Sequence, residues 1–202
     1  MNNSKLLCST LTILAFSLAS VVAHADDQDD HSNNACPVGL VSGMTLTAEF
    51  GADVAANTRC IKKRHHVKTM FAIGQLYAFG PSAITTGPYA LNQMANVISD
   101  YEITDGMTQG KDYQIIAVVH GPGGKMLLND PAVNPFKAQV EKLIAKGVTF
   151  YFCENTVRGL VKAGLLQRGN VAAGVIPGVK YVTAGLSAIS DFQALGWSVD
   201  AP

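Results

Sequence analysis

The chain has 202 residues, 48% apolar and 15% charged, with 15 basic and 15 acidic side chains, which describes a globular protein of ordinary size. A disordered chain would be richer in charge and poorer in aliphatic residues, a collagenous one would place Gly at every third position, and a nucleic-acid binder would show a basic surplus. A mean hydropathy of +0.20 is nevertheless high for so few charges, so the location of the apolar excess matters.

Part of the excess lies at the front. Lys5 precedes an apolar run from Leu6 to Val22, and Ala23-His24-Ala25 follows before Asp26. This is the basic, apolar and small-residue order of a secretory signal peptide, so residues 1–25 are read as a cleaved leader and the mature chain as periplasmic or secreted. A membrane anchor is the competing reading. Ser9, Thr10, Thr12, Ser17 and Ser20 dilute the run, and no basic stop-transfer flank follows it. Cys8 leaves with the leader. Losing Lys5 leaves one more acid than base, a balance that gives no reason to expect nucleic acid or, after cleavage, a membrane as partner.

Residues 26–34 are polar and acidic and read as a disordered tether. Residues 35–64 form an N-terminal extension of weak periodicity that carries Cys36 and Cys60. With Cys153 they make an odd number of cysteines in an oxidising compartment, and three cysteines allow three single bridges. The reading adopted is Cys36 to Cys60, closing a loop of roughly 25 residues worth about 3 kcal/mol, with Cys153 as the remaining thiol. At the end of this segment Lys62, Lys63 and Arg64 run into His65 and His66. Adjacent residues on a strand face opposite ways, so the two imidazoles read as part of a solvated basic rim and not as a metal pair.

The α/β domain is placed at residues 65–202. Val67–Ile73 reads as a strand, followed by turn residues Gly74, Gly80, Pro81, Gly87 and Pro88. Leu91, Met94, Ala95, Ile98 and Tyr101 fall on one face of a helix from Tyr89 to Tyr101. Tyr113–Val119 is a β-branched run without alternation, as expected for a parallel strand buried on both faces. A helix is expected from Pro135 to Lys146, with Asn134 as N-cap and Gly147 as its C-terminal stop. Val148–Phe152 reads as the next strand and Glu154 onward as a helix. A Gly-rich loop, a strand near Val179–Thr183, a helix over Leu186–Leu195 and an extended piece at Trp197–Val199 complete the pattern. Strands alternating with helices across short connections predict a mainly parallel sheet covered on both faces through right-handed crossovers.

In such sheets ligand sites collect beyond the carboxyl ends of the strands, where this chain has two loops, His120-Gly121-Pro122-Gly123-Gly124-Lys125 and Cys153-Glu154-Asn155-Thr156. Cys153 sits where a strand gives way to a helix N-terminus, which favours thiolate over thiol; the competing reading is a small buried core residue. His120 is a candidate base or hydrogen-bond donor to it, or a structural histidine. The glycines supply unusual dihedrals or let a substrate or partner approach. The loop lacks the third Gly of a dinucleotide fingerprint, where Met126 stands, and the first Gly of a phosphate-binding loop, where Val119 stands. No Cys-x-x-Cys and no Gly-x-Ser-x-Gly element is present, so a zinc ribbon, a dithiol redox pair and a serine-hydrolase elbow are not indicated.

From Tyr113 to Pro202 the sequence resembles the DsrE/DsrF-like sulfur-relay family. The resemblance rests on Val118-Val119-His120-Gly121-Pro122-Gly123 with Leu127-Leu128; Asn134-Pro135-Phe136 leading to Ala145-Lys146-Gly147-Val148; Phe152-Cys153-Glu154-Asn155-Thr156; and Ile176-Pro177-Gly178-Val179 with Ala184-Gly185. The helix beginning Ala90-Leu91-Asn92 fits as well. The extension with Cys36 and Cys60 has no counterpart in it, and the Gly164 to Gly174 stretch is longer than usual. The resemblance implies a three-layer α/β sandwich with a roughly five-stranded, mainly parallel sheet, assembled into homotrimers or homohexamers. It also implies that Cys153 carries sulfane sulfur as a persulfide and exchanges it with a donor or acceptor protein or a small sulfur compound. On this reading Cys153 and His120 are the reactive pair, Gly121, Gly123, Asn155 and Arg158 bind the substrate, and no metal or cofactor is needed. The alternatives are a non-catalytic oligomeric binding or scaffold domain with a buried Cys153, and a cofactor-free enzyme of another kind using the same cleft.

Overall fold

In the computed structural model, residues 66–76, 89–104 and 106–202 are described. The leader with Cys8, the tether, the extension with Cys36 and Cys60, His65, and the turn residues Gly80, Pro81, Gly87 and Pro88 lie outside the described residues.

Among the described residues five strands alternate with four α-helices. The order is β1 (Val67–Ile73), α1 (Tyr89–Ser99), β2 (Tyr113–Val119), α2 (Lys137–Ala145), β3 (Thr149–Cys153), α3 (Glu154–Lys162), β4 (Lys180–Val182), α4 (Gly185–Ala194) and β5 (Ser198–Asp200). All pairings between these strands are parallel and their spatial order is β4-β3-β2-β1-β5. The expected α/β fold with a five-stranded parallel sheet is therefore the observed one.

The topology dictates unequal outer layers. From β1 to β4 the chain steps across the sheet in one direction, so right-handed crossovers put α1, α2 and α3 on one face; the return from β4 to β5 runs the other way and puts α4 on the opposite face. Side-chain alternation follows. Phe71, Ile73, Ile115, Ala117, Val119, Phe150 and Phe152 meet Leu91, Met94, Ile98, Val140, Leu143, Val157 and Leu160 in the larger core. Met70, Ile116 and Val118 meet Ala188 in a smaller one, with Tyr151, Val182, Ile189, Phe192 and Trp197 packed around it. β2, at the centre, feeds both cores, which is why its sequence shows no alternation.

β1 and β2 match their expected limits, and the later elements are displaced by one or two residues. α1 was expected to reach Tyr101; it stops at Ser99 and widens into a π-type turn over Asp100–Thr104. The wider turn accompanies a tilted packing of the Tyr101 and Tyr113 rings, 5.0 Å between centroids, and a 3.2 Å contact between the Tyr101 hydroxyl and Thr69 Oγ1. α2 begins at Lys137, not Pro135, and its N-cap is Phe136. Asn134 has a different task from the capping expected of it. It is buried, its side-chain amide donates to the carbonyls of Met126 at 2.6 Å and Leu128 at 2.8 Å, and its Oδ1 accepts from the Phe136 N–H at 3.0 Å. One side chain thus fastens the end of the 3-10 segment Gly121–Leu127 to the start of α2. Beyond α2, Gly147 takes a left-handed φ of 92°, and the Val148 N–H closes on the Leu143 carbonyl at 3.0 Å.

Replacing Asn134 by Ala removes three hydrogen bonds and strands two interior carbonyls. The Asn134→Ala variant should lose about 2–3 kcal/mol of stability in denaturant unfolding with an unchanged m-value; a loss below about 0.5 kcal/mol would contradict the role assigned to it.

Candidate functional site

Cys153 is the last residue of β3 and the N-cap of α3, with extended backbone angles of φ −68° and ψ 120°. Because side chains alternate along β3, Phe152 enters the three-helix core and Cys153 faces the layer of α4. The Cys153 backbone therefore starts the helix on one face, while its sulfur looks toward the helix on the other. There the Gly185 N–H, at the first position of α4, donates to Sγ at 3.2 Å.

Burial to 4% exposure pushes the Cys153 thiol up. The backbone N–H of Thr156, the Gly185 N–H, the Thr156 hydroxyl and the Asn155 N–H all favour the anion, and together they outweigh burial, so the thiol is held below its ordinary value of 9.0. Only the Gly185 contact is tight. The first-turn N–H groups of α3 act without a close side-chain capping bond, as unpaired donors at a helix N-terminus do. Glu154 is exposed and does not figure among the groups that set the thiol's ionisation.

His120 follows β2, with its backbone N–H bonded to the Ile73 carbonyl at 2.9 Å. Its ring lies against Gly74: a β-carbon built there would stand 2.9 Å from Cε1. On the other side a β-carbon on Gly185 would stand 2.9 Å from His120 Cβ and 3.4 Å from Cys153 Cβ. Gly185 thus borders both side chains, and among the described residues His120 and Cys153 share no hydrogen bond. Burial lowers the His120 pKa from its usual 6.5, favouring a neutral imidazole.

The remaining sequence candidates divide. Gly121 is exposed, takes a left-handed φ of 54°, and its N–H donates to Thr156 Oγ1 at 2.8 Å. Gly123 is buried; its N–H bonds the Gly74 carbonyl at 3.2 Å, and a β-carbon there would press on the Ile73 carbonyl at 3.0 Å. At Gly123 and Gly124 the glycines admit this chain's own atoms. Asn155 and Arg158 are exposed on α3 and bonded to each other, guanidinium to Oδ1, so Asn155 reaches the thiol by its backbone and Arg158 does not act on it. His66 lies at the opposite, N-terminal end of β1. No group of three or more metal-ligating side chains occurs among the described residues, and no helix there is long and apolar enough to cross a membrane.

Thr156 and Gly185 stand among the residues that carry the family resemblance, but the sequence reading assigned neither a role at the site. Thr156 carried a signal: Cys-x-x-Thr has the spacing of a capping box, in which the N-cap and the third helical residue interact. Beyond its place in the resemblance Gly185 carried none, because its contact with the sulfur arises only when β4 and α4 are folded beside β3.

No protein-family model and no curated protein matches the chain. The solved structure of a protein of unknown function from Methanobacterium thermoautotrophicum is similar over 67% of this chain and 99% of that one, at 22% sequence identity and a TM-score of 0.50. At that identity the likeness establishes a shared fold.

Two outcomes follow from this packing. A methyl added in Gly185→Ala has no free space and should cost about 1–3 kcal/mol while perturbing the His120 resonances; a neutral substitution would refute the close approach. Burial depresses the His120 pKa in the fold, so as the pH falls through 6.5 the unfolded chain takes up the proton first and native stability declines toward the lower folded value. In His120→Gln the stability curve should be flatter below that pH, and an unchanged slope would contradict the burial of the ring.

Proposed function

We propose that the chain is an exported DsrE/DsrF-like protein that carries sulfane sulfur as a persulfide on Cys153. The observation that carries this reading is the meeting of two helix N-termini on the Cys153 sulfur, which favours the thiolate that such chemistry requires. In the loading step the thiolate attacks a terminal sulfane sulfur of a polysulfide dianion. A new S–S bond forms on Cys153, the donor's S–S bond breaks, and a polysulfide one sulfur shorter leaves with the electron pair. The Cys153 persulfide is again an anion, so the same N–H groups suit it. Unloading is the reverse displacement: an acceptor thiolate attacks the outer sulfur and Cys153 leaves as thiolate. No external oxidant, metal or cofactor enters either step. His120, whose burial favours the neutral ring and which shares the neighbourhood of Gly185 with Cys153, is suited to orienting the donor and less to pairing with the anion as a cation. Gly121 and Asn155 line the same strand ends. The sulfur partner is a donor or acceptor protein or a small sulfur compound, and the family resemblance extends to a homotrimer or homohexamer.

The 4% exposure of Cys153 favours a second reading, an oligomeric binding or scaffold domain in which the thiol is a core residue. One experiment separates the two. The chain from Asp26 onward, incubated with polysulfide and analysed by intact mass, should gain one sulfur, about 32 Da, that is lost on reduction and absent in Cys153→Ser. Absence of any Cys153-dependent adduct would reject sulfur carriage and leave the binding-domain reading.

A further inference from the structure

The loop after β2 makes two contacts with Thr156. The Gly121 N–H is spent on Thr156 Oγ1 at 2.8 Å. A few residues on, Gly124 is buried, and its missing β-carbon leaves the space that the Thr156 methyl occupies; the Phe152 ring, 2.9 Å from where that carbon would stand, walls the other side. Thr156 is therefore held at both branches of its side chain, and a β-branched residue so held has one χ1 setting available. A threonine hydroxyl offers one donor and two acceptor sites. With an acceptor site taken by Gly121, its hydrogen must be given elsewhere, and the third residue of α3 stands over the N-cap, Cys153.

We infer that Thr156 is the positioning residue for the Cys153 thiolate, and that the Gly121–Gly124 loop serves to aim its hydroxyl at the sulfur. The loop thereby couples β2 to the chemistry at the end of β3 without touching the sulfur itself. A hydroxyl turned instead to a backbone carbonyl of the preceding turn is the competing arrangement. The inference deepens the sulfur-carrier reading and rests on it for the use to which the thiolate is put; the ionisation can be read with no sulfur donor present, so the two fail separately.

The test is a pH titration of the folded protein followed by the Cys153 β-carbon chemical shift. Thr156→Val keeps the methyl seat and removes the hydroxyl. Below the wild-type midpoint its thiolate-to-thiol ratio should fall about tenfold, the size expected for a charge-assisted hydrogen bond. Thr156→Ser, which restores the hydroxyl, should return the ratio to within about twofold of wild type. A Thr156→Val ratio unchanged within that margin, or a Thr156→Ser ratio as low as that of Val, would overturn the inference. The wild-type protein supplies a check that needs no variant: the Thr156 side-chain resonances should move with the Cys153 titration and share its midpoint, and resonances flat through that transition would equally overturn it.

Discussion

The structure turns on one contact, the Gly185 N–H on the Cys153 sulfur, because through it two helices on opposite faces of the sheet bear on a single atom. Either helix alone would offer Cys153 the partial positive charge of one N-terminus, worth a few tenths to 1 kcal/mol at an exposed site. Here the sulfur is buried, so the penalty on the anion is larger, and so is the effect of each donor that faces it. The net effect is a thiol pKa below its ordinary value, because donors arrive from both helices and from Thr156.

Topology supplies this arrangement. The strand order β4-β3-β2-β1-β5 reverses direction once, between β4 and β5, and that reversal sends α4 alone to the far face. The connection from β4 to α4 is short, so α4 begins at the end of β4, beside Cys153, whose strand partner is Val182. A one-residue shift of β3 would exchange Phe152 and Cys153 between the two cores, placing an aromatic ring at the α4 terminus and the thiol among the other three helices. The register of β3 on β2, with Val119 opposite Phe152, is thus a condition of the site as well as of the fold. His120 fits the same frame as a side chain wedged between two glycine backbones, near the sulfur but unbonded to it.

Much of the fold was legible because parallel central strands announce themselves. Val67–Ile73 and Tyr113–Val119 are apolar runs bounded by polar or turn residues, and their limits coincide with the observed strands. The position of Cys153 at a strand end before a helix was legible for the same reason. Capping at α2 was misread because Asn134 precedes Pro135, a common way to begin a helix, whereas the buried carbonyls of Met126 and Leu128 claim its side chain. Those partners lie at the end of a segment whose 3-10 form the local pattern does not announce. Arg158 was singled out for lying one helical turn beyond Cys153, and the loop glycines for their unusual dihedrals or their openness to a substrate or partner. In the fold Arg158 is occupied by Asn155, and Gly123 and Gly124 make room for neighbouring parts of the same chain. Gly185 shows the limit most plainly: it lies 32 residues beyond Cys153, and only the closed sheet brings its N–H to the sulfur.

The central claim is that folding, and not the chain's local sequence, lowers the pKa of the Cys153 thiol below its ordinary value. Titrating the thiolate ultraviolet absorbance of wild type minus Cys153→Ser, once in native buffer and once in denaturant, tests it directly. The account predicts a native midpoint below 9.0 that moves up to the ordinary cysteine range on unfolding. A native midpoint at or above the denatured one would mean that burial outweighs the two helix termini, and would contradict it.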